Sequence, residues 1–212
     1  MRLLESVVQQ LKFAAWARSA VLPNTPSFAN RSDLYAHIQR QVIGEVPIDY
    51  LEFGVYKGSS LRSWTQLNTQ AESRFWGFDS FEGLPEDWSA VTGTLSKGTF
   101  STQGVLPAIS DQRVQFVKGW FQHTLESFSF GFSPRNRMVL HLDADLYTST
   151  LLVLAVFNRC IVPGSIVIFD EFSFVNAEFR AFLDYSTTFH KQFRVLAYAG
   201  DFYRQVAFEV IP

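Results

Sequence analysis

Met138-Val-Leu-His-Leu-Asp143-Ala-Asp145-Leu-Tyr147 and Ile166-Val-Ile-Phe-Asp170-Glu171 are the two stretches that decide the fold of this chain. Each begins with a run of apolar residues, which is typical of a strand buried on both faces of a parallel sheet. Each run ends in carboxylates, which are costly to bury without partners. Open α/β sheets bind ligands at the carboxyl ends of their strands, so these acids lie where a binding site is expected.

Strands and helices alternate around these two runs. Strands are predicted over 50–55, 75–79, 114–117, 138–143, 165–170, 193–198 and 205–211, and helices over 59–67, 149–160 and 177–189. This order predicts an α/β fold with a doubly wound, mostly parallel sheet and helices on both faces. Gly200-Asp201 separates the last two strands, which indicates an antiparallel C-terminal hairpin. We predict two units, a helical segment over 1–46 that serves as a lid or an oligomer contact, and a main domain over 47–212.

The composition of the chain argues against several classes of protein. The chain has 212 residues, 47% of them hydrophobic, which is enough for one sizeable packed domain. A net charge of −2 without a block of Lys or Arg predicts no nucleic-acid partner, and no apolar run is long enough to predict a membrane span. Cys160 is the single cysteine, which argues against disulfides or a cysteine-based zinc site and favours a cytoplasmic location.

A glycine-containing turn follows the first predicted strand, in Leu51-Glu52-Phe-Gly54-Val-Tyr56-Lys-Gly58-Ser59-Ser60. Glycine lets a ligand approach the backbone closely, and the helix that follows offers free N–H donors. The spacing is not the G-x-G-x-x-G dinucleotide fingerprint. Glu52 would oppose a pyrophosphate and suits a cationic ligand such as S-adenosylmethionine. Cofactor contacts are therefore predicted at Glu52, Gly54, Tyr56, Gly58, Ser59 and Ser60, although a turn that needs two glycines would give the same pattern.

The next two strands end in further candidate cofactor contacts. Asp79, followed by Ser80, closes its strand 27 residues after Glu52, where a carboxylate can accept hydrogen bonds from ribose hydroxyls. Gly119-Trp120 follows the third strand and could border an adenine ring. The alternatives are an aspartate that caps its own turn and ordinary core and turn residues.

The acids of the two opening stretches predict a metal site. Asp143, Asp170 and Glu171 offer three oxygen donors and leave positions for substrate and water, which suits Mg²⁺. No cysteine or paired-histidine signature favours zinc. Helix capping after each strand is the alternative. His141 shares a strand face with Asp143, and a core histidine with satisfied hydrogen bonds is the favoured interpretation.

A long glycine- and proline-containing loop covers 81–113. Loops of this length inside a compact domain are usually functional or mobile. A lid over a substrate pocket and a surface excursion with a short helix fit the sequence equally well.

Four strings together carry a resemblance, Glu52-Phe-Gly-Val-Tyr-Lys-Gly-Ser, Gly77-Phe-Asp-Ser-Phe-Glu-Gly-Leu-Pro85, His141-Leu-Asp-Ala-Asp-Leu-Tyr147 and Ile168-Phe-Asp-Glu171. From about Arg31 onward the chain resembles the macrocin O-methyltransferase (TylF/MycF) family. The resemblance implies a class I methyltransferase fold, which is Rossmann-like with a seven-stranded sheet. It also implies S-adenosylmethionine and Mg²⁺ or another divalent cation as cofactors.

The same resemblance implies an enzyme that methylates a hydroxyl of a sugar or other natural-product small molecule. Asp145 resembles the family's general base, and Asp143, Asp170 and Glu171 resemble its metal ligands. Glu171 replaces the usual second aspartate of that cluster, which puts the metal geometry in question. A homodimer or larger homo-oligomer is expected from the family.

Three other functions are compatible with parts of the pattern. A non-catalytic S-adenosylmethionine-binding protein would keep the fold, and the change at Glu171 leaves room for it. A nicotinamide-dependent oxidoreductase is disfavoured by the lack of its glycine fingerprint. A metal-dependent hydrolase would leave Glu52 and Asp79 without a role.

Overall fold

The structure is a computed structural model that describes residues 2–90 and 93–212. Its α-helices are α1 (Arg2–Ala20), α2 (Arg31–His37), α3 (Ser59–Leu67), α4 (Phe121–Gly131), α5 (Tyr147–Val156) and α6 (Glu178–Thr188). Its strands are β1 (Ser27–Phe28), β2 (Ile48–Phe53), β3 (Arg74–Asp79), β4 (Trp88–Ala90), β5 (Gly93–Leu95), β6 (Val114–Lys118), β7 (Arg137–Leu142), β8 (Ile166–Phe169), β9 (Gln192–Ala199) and β10 (Gln205–Ile211). A π-helical turn (Ile38–Ile43) continues α2, and a 3₁₀ turn (Asp201–Tyr203) joins β9 to β10.

The main sheet has eight strands in the order β1-β9-β10-β8-β7-β2-β3-β6. Strands β6, β3, β2, β7 and β8 are mutually parallel, and β10 runs antiparallel to both β8 and β9. The predicted mostly parallel sheet with its antiparallel C-terminal hairpin is confirmed. The eighth strand is the two-residue β1, which adds to the outer edge of β9 in parallel.

The apolar runs form the centre of the sheet. Strands β2 and β8 are buried along their whole length, and β7 is buried at all but its first residue. Aromatic side chains pack on both faces: Phe53 stacks on Phe78 at 4.7 Å on one face, and Tyr50 contacts Trp64 at 5.1 Å on the other. Burial on both faces explains why these strands read as continuous rather than alternating apolar runs.

Helix α4 was not predicted. Its apolar residues Phe128 and Phe130, with Phe132 beyond its end, alternate with Ser129 and Gly131, which is a strand-like period. Tertiary packing overrides that local signal, because the Phe128 ring meets Phe78 edge-on at 4.8 Å while Phe130 stays 80% exposed.

The N-terminal segment packs on the main sheet rather than standing apart. Phe13 and Trp16 of α1 lie 4.9 Å from Phe179 and 4.8 Å from Phe172, respectively, in edge-on contacts. Leu4 and Leu11 of the same helix remain 73% and 66% exposed. Its role as a lid or oligomer contact stays a prediction, and residue 1 lies outside the described part. Within the described part, every helix is too short or too polar to cross a bilayer.

Loop 81–113 carries the small hairpin β4–β5, which pairs apart from the main sheet. Residues 91 and 92 of this loop lie outside the described part of the chain. Within the rest, the N–H groups of Thr102 and Gly104 donate to the Phe81 carbonyl at 3.1 and 2.8 Å. Lys118 Nζ of β6 donates to the Gly104 carbonyl at 2.7 Å and so ties the loop to the domain. The described part of this segment thus carries its own strand pairing, and its role as a lid or a surface excursion stays a prediction.

A buried carboxylate ties three parts of the sheet together at the end opposite the acidic clusters. Asp49 is fully buried and accepts hydrogen bonds from Arg74 Nε at 2.8 Å, from the Arg135 N–H at 2.7 Å and from the Asn136 N–H at 3.1 Å. Burial would raise the pKa of the Asp49 carboxyl, but these hydrogen bonds outweigh it and keep the pKa below its usual value.

We expect Asp49→Ala to lower the free energy of unfolding by about 2–4 kcal/mol, because it leaves Arg74 and two backbone N–H groups without their acceptor. Urea unfolding measures this change. Asp49 has a lowered pKa when folded, so its contribution is complete above the unfolded value of about 3.9 and is lost as the pH falls through the lower folded value. The variant should lack that part of the acid dependence. Glu45→Ala, an exposed acid, is the control and should change stability by less than about 0.5 kcal/mol; equal losses in both variants would rule out a special role for Asp49.

Candidate active site

A cavity of about 1100 Å³ opens at the carboxyl ends of the parallel strands. Its walls come from the segments that follow β2, β3, β6, β7, β8 and β9, together with residues 29–31 and described residues of loop 81–113 between Gly83 and Phe100. Cavities for one small ligand usually measure about 300–1000 Å³, so this cavity has room for a cofactor and a second molecule.

Gly54 lets the turn after β2 lie directly against the end of the neighbouring strand β7, at the base of the cavity. Its φ is +93°, and a Cβ atom there would lie 1.8 Å from the carbonyl oxygen of Asp143. Only glycine fits this position, because any side chain would overlap the Asp143 backbone. The glycine turn therefore sets how closely Asp143 approaches the β2 loop.

Asp79 fastens the same turn. Its Oδ2 accepts from the N–H groups of Val55 and Tyr56 at 2.8 Å each, and its Oδ1 accepts from the Phe81 N–H at 2.7 Å. The predicted turn-capping interpretation of Asp79 is thus confirmed. Asp79 also lines the cavity, and its Oδ1, which accepts one hydrogen bond, can accept a second.

The predicted cofactor residues fall into two groups. Those that line the cavity are Gly54, Tyr56, Asp79, Ser80, Gly119 and Trp120. Those that lie outside its described walls are Glu52, Gly58, Ser59 and Ser60. Glu52 is fully buried under the turn, where it accepts from Tyr50 Oη at 2.6 Å and from Ser60 Oγ at 2.8 Å. The strand period of two directs Tyr50 and Glu52 to the same buried face.

The ends of β7 and β8 bring two of the predicted metal ligands together. Candidate ligand atoms of Asp143, Asp170 and His141 all lie within 4.8 Å of one another. Carboxylate oxygens are the donors a hard divalent cation prefers, so Asp143 and Asp170 fit such an ion chemically. Arg31 also reaches this point: its Nη1 lies 2.9 Å from Asp170 Oδ2 and 3.6 Å from Asp143 Oδ2.

His141 is a buried cation rather than a free ligand. Its Nδ1 lies 2.7 Å from Tyr50 Oη and its Nε2 lies 3.2 Å from Tyr35 Oη, with Glu52 and Asp170 oxygens each 3.5 Å away. Burial would lower the pKa of His141, but hydrogen bonds and charge from Asp170 and Glu52 raise it to about 10. Both ring nitrogens are engaged, so the interpretation as a satisfied core histidine is supported.

Glu171 points to a different partner. Its carboxylate receives Arg204 Nη2 at 2.8 Å and Nε at 3.2 Å, and its N–H donates to Glu178 Oε2 at 2.8 Å. Burial raises the pKa of the Glu178 carboxyl well above its usual range. The structure therefore brings Asp143 and Asp170 together but pairs Glu171 with an arginine.

Asp145 differs from every other acid at these strand ends. It lines the cavity, and among the described residues no hydrogen bond or ion pair engages its carboxylate. Its backbone has a φ of +59°, which aspartate tolerates better than most residues. Burial, reinforced by repulsion from Glu171 and Asp170, raises the pKa of Asp145 to about 7. A carboxyl group of this kind can accept a proton near neutral pH.

Sequence reasoning missed the two arginines. Arg31 begins α2 directly after Asn30, whose side chain caps that helix, and Arg204 ends the turn before β10. Both arginines are far in sequence from the carboxylates they contact, and a single sequence carries no signal for such pairs. An unbalanced count of buried acids could have indicated that cations were needed.

Solved structures with the same architecture share little sequence with this chain. The O-methyltransferase NovP has a TM-score of 0.63 at 21% identity over 86% of this chain and 80% of that one. The calicheamicin methyltransferase CalS11 has a TM-score of 0.63 at 20% identity over 97% of this chain and 92% of that one. These likenesses show a class I O-methyltransferase fold.

Curated relatives match at higher identity over a shorter region. The 8-demethyl-8-(2,3-dimethoxy-alpha-L-rhamnosyl)-tetracenomycin-C 4'-O-methyltransferase of Streptomyces olivaceus is 33% identical over 150 residues, which are 60% of this chain and 54% of that protein. The mycinamicin III 3''-O-methyltransferase of Micromonospora griseorubida is 28% identical over 152 residues, 60% of this chain and 56% of that protein. The chain thus spans about half the length of these relatives.

The family model for macrocin O-methyltransferase matches residues 29–205, which is most of the chain and includes the glycine turn, Asp79 and both acidic strand ends. The matched region also contains Arg31 and Arg204, the two cations that the site adds to the sequence motifs. The chain therefore belongs to the macrocin O-methyltransferase (TylF) family.

Proposed function

We propose that this chain transfers a methyl group from S-adenosylmethionine to a hydroxyl group of a sugar or another natural-product small molecule. The observation that carries the proposal is the free carboxylate of Asp145 in a cavity that also contains the glycine turn and Asp79. The names of the curated relatives support the reaction class and a glycosylated acceptor. A neighbouring structure, an O-methyltransferase from Bacillus cereus, is described in complex with S-adenosylhomocysteine.

The cofactor side of the cavity is proposed to be the end that contains Gly54, Asp79 and Gly119. Gly54 and Gly119 expose backbone to the cavity, with φ values of +93° and +143°. Tyr56, Ser80 and Trp120 complete the proposed contacts. Glu52, Gly58, Ser59 and Ser60 would act from beneath, because the Glu52–Ser60 hydrogen bond fixes the start of α3 under the turn.

The proposed chemistry assigns one task to Asp145. S-adenosylmethionine supplies a methyl group that its sulfonium charge has already activated. The acceptor hydroxyl must lose its proton as its oxygen takes that methyl group, and Asp145 accepts the proton. A carboxylate free of arginine partners is a stronger base than one held in an ion pair, which distinguishes Asp145 from Glu171 and Asp170.

Mg²⁺ or another divalent cation is proposed at Asp143 and Asp170. When bound there, it would lower the pKa of the acceptor hydroxyl and so ease proton removal. Glu171, the third ligand expected from the sequence, would join only on leaving Arg204, so we propose it as a conditional ligand. His141 stays below the pair and keeps Asp170 oriented through its own charge.

Loop 81–113 is proposed to cover the acceptor. Trp88 of this loop packs on Phe174 at 4.8 Å and, with Leu84 and Leu146, forms an apolar cluster separate from the main core. Trp88, Leu84 and Phe174 also line the cavity, so the loop presents an apolar surface to whatever enters. Such a surface excludes water from the reacting atoms and suits a ring-shaped acceptor.

We expect S-adenosylhomocysteine to raise the melting temperature of the native chain and NAD⁺ to leave it unchanged, because only the first should bind the cavity. At about 100 times Kd, a bound ligand stabilises by about 2.7 kcal/mol. Asp79→Ala should weaken this binding, because it removes both the proposed ribose contact and the anchor of the turn. Differential scanning fluorimetry over a ligand series gives both results. Stabilisation by NAD⁺ in place of S-adenosylhomocysteine would favour an oxidoreductase.

We expect Asp145→Asn to lower methyl transfer roughly 10²- to 10⁴-fold, because the amide cannot accept the proton. Binding of S-adenosylhomocysteine should persist, since Asp145 makes no contact that shapes the turn. Mass spectrometry of the methylated product, with glycosylated macrolides and aromatic polyketides as acceptors, follows the rate. Asp201→Asn removes another carboxylate that lines the cavity and is the matched control, with activity retained. Undiminished activity of Asp145→Asn would remove this residue from the mechanism.

A further inference from the structure

Arg31 lies in front of the two carboxylates that are proposed to hold a metal. Its Nη1 is 2.9 Å from Asp170 Oδ2 and 3.6 Å from Asp143 Oδ2, and its Nη2 is 3.4 Å from Ser59 Oγ. The Asp170 side chain is only 4% exposed, whereas the Arg31 side chain is 38% exposed and lines the cavity. The guanidinium therefore lies against Asp170 Oδ2 in the cavity wall, to which Asp143, with a side chain 25% exposed, also belongs.

The two oxygens of Asp170 face different partners. Oδ1 accepts from Tyr35 Oη at 3.1 Å and lies 3.5 Å from His141 Nε2, so it is engaged on the buried side. Oδ2 is the oxygen that Arg31 contacts. A cation arriving from the cavity would need Oδ2, and it would meet the guanidinium there.

Electrostatics makes simultaneous occupancy costly. A guanidinium and a divalent ion that share the same two carboxylates would lie a few ångströms apart, where like charges repel by several kcal/mol at the effective dielectric of a partly buried site. Arg31 has a long side chain in the first turn of α2 and is partly exposed, so its head group can leave without disturbing the fold. The Arg31 side chain is thus the part of this cluster that can move away.

We infer that Arg31 is the resident counter-ion of Asp143 and Asp170, and that a divalent cation binds this pair by displacing its guanidinium. The inference rests on the proposed function, which places the metal at Asp143 and Asp170. It adds that Arg31 sets how tightly the metal binds there. A merely supporting arginine, one that only orients Asp170 for the metal, makes the opposite prediction. Removing a support weakens metal binding, whereas removing a competitor strengthens it.

The test is Mn²⁺ binding to the full chain at a pH of about 8, measured through the electron paramagnetic resonance signal of free Mn²⁺. We expect Arg31→Met to bind Mn²⁺ roughly ten- to a hundredfold more tightly than the native chain. Arg31→Gln should bind in the same way, and Arg31→Lys should lie between it and the native chain. Arg40→Met, the matched control, removes an exposed arginine of the π-helical turn that continues α2 and should leave affinity unchanged.

Asp170→Asn in the Arg31→Met background locates the ion, since it should abolish the gain. Unchanged or weaker Mn²⁺ binding in both Arg31→Met and Arg31→Gln overturns the inference, as does an Mn²⁺ site that survives Asp170→Asn. Failure of every variant to bind Mn²⁺ also overturns it. None of these readouts depends on methyl transfer, so S-adenosylhomocysteine binding and product formation report separately on the proposed function.

Discussion

Buried acids at the centre of the sheet must be balanced by buried cations, and this constraint organises the carboxyl edge of the molecule. The imidazolium of His141 lies between Glu52 and Asp170, with Tyr50 and Tyr35 bridging on either side. This arrangement joins β2, β7, the end of β8 and helix α2 in one charged network. Glu52 and Asp170 lie on opposite sides of this cation, so its charge offsets part of the cost of burying both carboxylates.

The same constraint sorts the acids by role. Glu52, beneath the cavity, is engaged by His141 and Ser60, and Asp79, in the cavity wall, is engaged by backbone N–H groups. Asp143, Asp170 and Glu171 meet arginines that are partly exposed, and among the described residues Asp145 has neither kind of partner. Reactivity in such a cluster follows from which charge is left uncompensated, rather than from the number of acids present.

The sequence predicted those features of the fold that depend on burial pattern. The apolar runs 138–143 and 165–170 became β7 and β8 because strands buried on both faces need continuous apolar residues. The edge strand β1 has only two residues, which is too few for a burial pattern that a sequence could show. It is recognised as a strand only through its pairing with β9. Helix α4 ends in a strand-like alternation over 128–132, and the packing of Phe128 on Phe78 and Trp76 contributes to its helical conformation. At the site, the strand ends could be located from spacing, but the side that Glu52 faces and the cations that meet Asp170 and Glu171 depend on long-range contacts.

The docking of α1 has a consequence for how the chain is made. Phe13 and Trp16 lie against Phe172, Phe179 and Phe208, so α1 packs on elements that are synthesised long after it. Contacts of such long sequence separation form late, because loop closure must be offset by packing that already exists. During synthesis the aromatic face of this helix therefore stays exposed until α6 and β10 have left the ribosome.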